Sequence, residues 1–170
     1  MSASIQIQQY PETTMIETFA PEDLRSPQLR LGYDHWRSLC GARRFPSRDE
    51  IKPRDIASAL SNMVLVKVLG EGEDLQFRIV GYHASRGYHI DFTNRLLSEI
   101  ASVLPRASRN WAGICRQIIA SGAPLGVRVH SGFDAPEVNF TEAESVFLPL
   151  GTTDDRVDHV MTFVEHVLKT

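Results

Sequence analysis

The hydrophobic positions along the chain change their period several times, and these changes outline a series of helices and strands. Ser26 followed by Pro27 is typical of a helix start, because proline lacks the N–H that the first turn cannot use. Gly41 is suited to end that helix. Apolar residues between them recur at spacings of four, three and four, on one helical face: Leu29, Tyr33, Trp36 and Cys40.

A capping box and two strands follow this helix. Ser47 and Glu50 have the spacing of a capping box, which predicts a short helical turn. Residues 63–69 are nearly all apolar and predict a central strand, and residues 70–74 form a hairpin-like connector. Residues 75–79 then alternate between apolar and polar, which predicts a strand with one solvent-exposed face. Gly81 ends this strand.

A helical insert separates this hairpin from the rest of the chain. Thr93 or Asn94 is suited to cap a helix that runs to residue 104, where Pro105 breaks it. Residues 107–120 carry the clearest amphipathic pattern in the sequence, and Gly122 is placed to end that second helix. We therefore expect a long helix that crosses the sheet.

Three further strands are predicted after the insert. Residues 125–130 alternate, residues 138–150 form a second strand, and residues 157–168 form a third that is apolar on both faces. Glu142 and Glu144 interrupt the apolar face of the second strand, which predicts a bulge or a break near there. The order predicts an α+β domain: a five-stranded antiparallel sheet with helices on one face and an extra N-terminal helix.

Composition and charge narrow the class of protein. The chain has 170 residues, enough for about one domain, and we expect one over residues 23–170 after an N-terminal arm or tail at 1–22. The net charge of −3 argues against a nucleic-acid binder. We see no apolar run long enough to span a membrane and no signal peptide, so we expect a cytoplasmic protein.

The order of elements is that of PAS domains, and several segments strengthen the likeness. They are Y-D-H-W-R-S-L at 33–39, R-F-P-S-R at 44–48, I-K-P-R-D-I at 51–56, F-R-I-V-G at 77–81 and D-F-T-N-R-L at 91–96. Over about residues 29–166 the chain resembles a divergent family of short bacterial PAS proteins. The resemblance implies a PAS fold and a sensory or regulatory role in signal transduction, but it implies no particular ligand.

A PAS sheet bends around a space beneath the long helix, and this space is the expected site for a small apolar or amphipathic ligand. The alternative is that the same side chains simply fill a solid core. Tyr82 and His83 are the best polar candidates for contact with a ligand. The apolar residues expected to face the space are Phe77, Ile79, Trp111, Ile114, Cys115, Val127, Val129, Phe147 and Met161.

Other chemistry has weaker support. The histidines lack the spacing of a helical zinc site, so we expect no metal. Haem would need His83 or His89 as its axial ligand, by analogy alone, and Cys115 lacks the sequence context of a flavin photosensor. The cofactor is therefore left open. The alternative function is a small-molecule enzyme of the isomerase or dehydratase type in an α+β cone fold, with His83 as the first candidate acid or base.

A regulatory module would pass its signal to another protein. We expect the first helix, at Tyr33 and Trp36, to be the surface for a signalling partner or for a second copy of the chain. Arg43 and Arg44 belong to a basic stretch that could dock an acidic partner, although two solvated faces of opposite charge are the simpler explanation of the pattern.

Overall fold

A six-stranded antiparallel sheet forms the centre of the structure, a computed structural model that describes residues 14–133 and 135–170. In spatial order the strands are β1, β4, β5, β6, β2 and β3. Their bounds are β1 (Met15–Phe19), β2 (Met63–Leu69), β3 (Asp74–Val80), β4 (Leu125–His130), β5 (Phe140–Leu150) and β6 (His159–Leu168). The α+β class predicted from the sequence is confirmed.

Four α-helices accompany the sheet in the described residues. They are α1 (Pro27–Cys40), α2 (Tyr82–Ser85), α3 (Leu97–Ile100) and α4 (Pro105–Ser121). Three 3₁₀ segments cover Pro21–Asp23, Arg48–Glu50 and Pro53–Asn62. The predicted caps are present: the Ser26 hydroxyl accepts a hydrogen bond from the amide of Leu29, and Gly122 ends α4 in the left-handed conformation at φ 61°.

The insert between the hairpins is where the helix prediction is wrong. Neither Thr93 nor Asn94 caps a helix; Asn94 adopts a left-handed φ of 64°, and the short helix α3 begins only after Leu96. Pro105 does not merely break that helix but opens the next one, because proline fits the first turn. The bulge predicted near Glu142 is present as a register shift between Phe140 and Glu142.

The sixth strand, β1, comes from the segment that the sequence left as an arm or tail. Met15–Phe19 pairs antiparallel with β4, and Phe19 lies opposite Gly126. Residues 1–13 of that segment lie outside the described residues. The domain limits at residues 22 and 23 stay a prediction.

The two faces of the sheet are covered by different helices. Phe163 of β6 packs beneath α1, where a Cβ added at Gly32 would lie 2.5 Å from the Phe163 ring. On the other face, the rings of Trp111 in α4 and Phe147 in β5 are 5.3 Å apart. Successive strand residues point to opposite faces. The insert therefore covers one face and the extra helix α1 the other.

A buried ion pair fastens the N-terminal segment to the α1 side of the sheet. The guanidinium of Arg128 on β4 lies 3.1 Å from the carboxylate of Glu144 on β5, and both side chains are almost fully buried. The second oxygen of Glu144 accepts hydrogen bonds from the amides of Arg25 and Ser26, at 3.0 and 2.9 Å. Arg128 also lies over the Phe19 ring, 3.8 Å from its centroid. One ion pair thus holds β1, the start of α1 and two central strands together.

Candidate functional site

A cavity of about 80 Å³ lies between α4 and the face of the sheet that carries β4, β5 and β6. Its floor is built from small side chains at positions where the strands face the helix: Val127, Val129, Ala143, Ser145 and Val164. Protein interiors are normally packed to the density of organic crystals. Short side chains on the floor beneath a helix therefore leave room that a larger residue would fill.

Aromatic rings form the wall of the cavity. The indole N–H of Trp111 donates a hydrogen bond to the Tyr88 hydroxyl at 3.2 Å. Trp111 meets Phe147 edge to face, and Tyr88 meets Phe140 at a ring separation of 6.0 Å and an interplanar angle of 83°. The His166 imidazole stacks on Phe140, with centroids 4.6 Å apart. Such edge-to-face and stacked contacts hold the rings in defined orientations.

Two polar side chains that line the cavity have no hydrogen-bond partner in the protein. The hydroxyl of Thr162 belongs to a residue with 0% exposure, and neither ring nitrogen of His166 makes a hydrogen bond of normal geometry, although the His83 backbone lies close to the ring. By contrast, Ser145 donates to the Val127 carbonyl at 3.2 Å. A buried polar group without a partner costs about 1–3 kcal/mol. Thr162 and His166 are therefore the groups that a bound molecule would satisfy.

The imidazole of His166 is held in its neutral form. Burial lowers its pKa to about 4, and the nearby backbone of His83 opposes this shift only in part. Gly87 permits the close approach of the insert, since a Cβ at that position would lie 2.5 Å from the ring. Burial also raises the pKa of the Tyr88 phenol, so this ring is neutral too.

The rim of the cavity lies at the first turn of α4. The Glu137 carboxylate accepts hydrogen bonds from the amides of Arg106 and Ala107, at 3.1 and 3.0 Å. It therefore occupies the positive end of the helix dipole. Thr14 also lines the rim, and Lys169 donates to the carbonyl of Ala135, another lining residue, at 2.7 Å.

Several residues expected to face a ligand do line this cavity, while others stand beside it. Trp111, Val129 and Phe147 line it, together with Ile114 and Val127. Phe77 lies behind Trp111, with ring centroids 5.4 Å apart, and so supports the wall. Cys115 is fully buried but does not line the cavity, and burial raises its pKa to about 12.

Four further candidates do not face the cavity. Tyr82, which is 67% exposed, and His83 lie on the outer side of α2. Met161 points to the α1 side because it alternates with Thr162 along β6. Ile79 lies opposite Leu65 after a register shift in the β2–β3 pair, so its side chain points to the α1 side while that of Phe77 points to α4.

Of the four residues expected to form the partner surface, two are buried and two are exposed. Trp36 is 3% exposed and donates from its indole to the Pro149 carbonyl at 2.8 Å, and Tyr33 is buried beside it. These two rings pack against their own sheet and are not displayed to a partner. Arg43 and Arg44 are exposed.

Both exposed arginines nevertheless have partners within the chain. The guanidinium of Arg43 donates two hydrogen bonds to the Glu50 carboxylate in a bidentate arrangement, at 2.8 and 2.7 Å. Arg44 donates to the carbonyls of Ser121 and Asp154, the second at 3.1 Å, and so joins the end of α4 to the last turn of the chain.

The sequence analysis missed the polar lining residues. Thr162 and His166 lie in a strand that is apolar on both faces, so the pattern did not show which face carries the site. The one available signal was the pair of polar residues four apart, which share a face of a strand. Tyr88 and Phe140 were missed because their contact joins segments distant in sequence.

The described ranges show neither a metal-binding cluster nor a membrane-spanning helix. Within residues 14–133 and 135–170, no group of three or more His, Cys, Asp or Glu side chains is arranged to hold a metal ion. Among the helices in that part of the chain, none combines the length and the apolar character needed to cross a bilayer.

A family model described as PAS domain matches residues 24–164, which is most of the 170-residue chain. No curated protein and no solved structure matches the chain.

Proposed function

The chain belongs to the PAS domain family, and from this premise we propose that it binds a small molecule in the cavity beneath α4 and passes the change to a protein partner. Family membership supports a sensory or regulatory module in general. The binding of a ligand, the contact with a partner and a cytoplasmic location are all parts of this proposal. Two free, buried cysteines suit a reducing compartment.

The observation that carries the proposal is the unfilled, aromatic-walled cavity with an unpartnered hydroxyl inside it. Open space and an unbonded Thr162 both lower the stability of the folded chain. A molecule that fills the space and bonds to Thr162 would offset both losses of stability, because a ligand that binds only the folded state stabilises it.

The residues of the cavity wall also connect the site to the insert and to α4, and so provide a route by which ligand binding could be transmitted. Tyr88 belongs to the insert and pairs with Val138 through an isolated bridge, while Trp111 belongs to α4. A ligand that favours one arrangement of the Tyr88–Trp111 pair would bias the insert and the long helix together. The exposed basic pair Arg43 and Arg44 stays the proposed contact for an acidic partner, since Arg44 bonds to the end of that same helix.

The enzymatic alternative gains no support from the described residues. His83, its first candidate base, is exposed on α2 and does not line the cavity. A titratable side chain that does line it, His166, is already neutral and stacked on a phenylalanine. A binding module, unlike an enzyme, needs no acid or base in the cavity.

The test is to fill the cavity and look for the loss of a bound molecule. We expect native mass spectrometry of the purified protein to show a small molecule that denaturation releases. Ala143→Leu places a larger apolar side chain on the cavity floor, and we expect at least a tenfold drop in ligand occupancy with the circular dichroism spectrum unchanged. Ala143→Val is the smaller version if leucine disturbs folding.

Ala120→Leu is the matched control. It makes the same change at an exposed position of α4, and we expect it to leave occupancy unchanged. The proposal fails if no small molecule accompanies the wild-type protein and none binds when candidate compounds are added. It also fails if a bound molecule persists unchanged in a folded Ala143→Leu variant.

A further inference from the structure

Resting on this proposed function, we infer that the ligand is an uncharged molecule that is polar at both ends and apolar in between. The inference follows from where the unpartnered polar atoms lie along the cavity floor. The ends, the middle and the charge of the ligand are each set by different residues.

The two ends correspond to Thr162 and His166. They lie four residues apart on β6, on the same face, so their Cα atoms are separated by roughly 13 Å along the strand. Thr162 lies opposite Phe147 on β5, and His166 lies opposite Ala143. One functional group cannot reach both side chains across this distance. The complementary molecule therefore carries two hydrogen-bonding groups, one for each.

The middle of the floor is apolar. Val164 lies between Thr162 and His166 on the same face of β6, and Val127 lies across the floor on β4. Ser145 opposite Val164 is polar, but its hydroxyl is already bonded to the Val127 carbonyl. On the floor side, the section of ligand above these residues meets apolar surface and a hydroxyl that is already bonded.

The absence of charge on the ligand follows from the groups that face it. His166 is neutral because burial depresses its pKa. The Glu137 carboxylate is bound to the amides that open α4, and Arg106 in that first turn is itself engaged in an interaction. A charged group beside Thr162 or His166 would be buried without a partner of opposite charge, which is strongly unfavourable.

The experiment compares three probes of similar length. 1,5-Pentanediol is polar at both ends, 1-hexanol at one end, and glutarate carries a charge at each end. Binding is followed by NMR titration of the full chain, with resonances of cavity residues as the readout. We expect the diol to bind, the hexanol to bind, and glutarate to bind at least tenfold more weakly than the diol.

Variants of Thr162 then test the anchor itself. Thr162→Val keeps the shape of the side chain and removes the hydroxyl. We expect it to weaken diol binding about tenfold relative to its effect on hexanol. Thr162→Ser restores the hydroxyl and should restore the wild-type ratio of the two affinities. Ser145→Ala is the control, because its hydroxyl lines the cavity but is already bonded, and it should change the ratio less than threefold.

The outcomes separate this inference from the proposed function. If the alcohols bind but Thr162→Val leaves their affinity ratio unchanged, or if glutarate binds as tightly as the diol, the ligand class is wrong while the cavity stays a binding site. If neither alcohol shifts the cavity resonances and no small molecule accompanies the purified protein, the proposed function fails and this inference fails with it.

Discussion

Replacing Glu144 with alanine should cost about 3–5 kcal/mol of folding free energy, the usual cost of removing one partner from a buried ion pair. The carboxylate accepts three hydrogen bonds, one from Nε of Arg128 and two from the amides of Arg25 and Ser26, and it also lies 3.1 Å from a terminal nitrogen of the guanidinium. Without it, Arg128 retains the Asp23 carbonyl and the Phe19 ring as its neighbours. Its charge would then be buried and uncompensated.

For a chain of this length, each kcal/mol corresponds to roughly 2–4 °C in Tm. Thermal and urea unfolding, followed by circular dichroism, should therefore show Glu144→Ala melting about 6–20 °C below the wild type. Glu144→Gln keeps an oxygen for the amides but loses the charge, so its Tm should lie between the two. Glu165→Ala is the matched control: Glu165 lies directly opposite Glu144 on β6 but is exposed, and its loss should change stability by less than about 0.5 kcal/mol.

A double-mutant cycle identifies the source of the loss. Arg128→Met in the Glu144→Ala background removes the uncompensated charge and should recover part of the stability, though not the part owed to the two amides. The reasoning is refuted if Glu144→Ala lies within about 1 kcal/mol of the wild type, or if the double variant is no more stable than Glu144→Ala alone.

Three further predictions concern packing, reactivity and pH. Gly32→Ala should lower the Tm, since its Cβ would lie 2.5 Å from the Phe163 ring. Gly113→Ala should instead raise the stability of the fold by about 0.5–1 kcal/mol, because no atom lies within 4 Å of its added Cβ. Urea unfolding of both variants checks this contrast. Cys115, whose pKa is raised to about 12, should resist a thiol reagent at pH 8 in the folded chain and react only as fast as the chain unfolds; equal rates with and without denaturant would contradict this. The pKa of His166 is about 4 in the folded state against 6.5 as its usual value, so the unfolded chain binds the proton first as pH falls. The contribution of His166, about 3 kcal/mol, is present above pH 6.5 and is lost as pH falls towards 4; His166→Phe should remove this part of the pH dependence of urea unfolding.

The sequence predicted those features of the fold that depend on neighbours along the chain. Ser26, Gly41 and Gly122 each act within one helical turn, where capping and left-handed backbone geometry are decided locally. The apolar face of α4 was equally plain, because a helix buried on one side keeps a single period. These signals were sufficient for the class of fold and for the order of α1, the strands β2 to β6 and the helix α4.

Features that depend on distant partners could not be predicted in the same way. The pairing of β1 with β4 is fixed by residues more than a hundred positions apart. The register shift that turns Ile79 away from the cavity leaves no mark in an alternating pattern. On β6, Met161 and Thr162 are both buried, one against the α1 side and the other towards the cavity. Burial on both faces removes the contrast that would have shown which residue lines the site.

The convergence of Thr14 and Lys169 on the cavity rim has a practical consequence. Thr14 lines the entrance, and Lys169 bonds to Ala135 beside it, although the two residues lie near opposite ends of the described chain. A group attached at Thr14 or at Lys169 therefore sits next to the opening. An affinity tag attached there competes with small molecules for access, while an environment-sensitive dye at the same place would change its emission when the space behind it is filled.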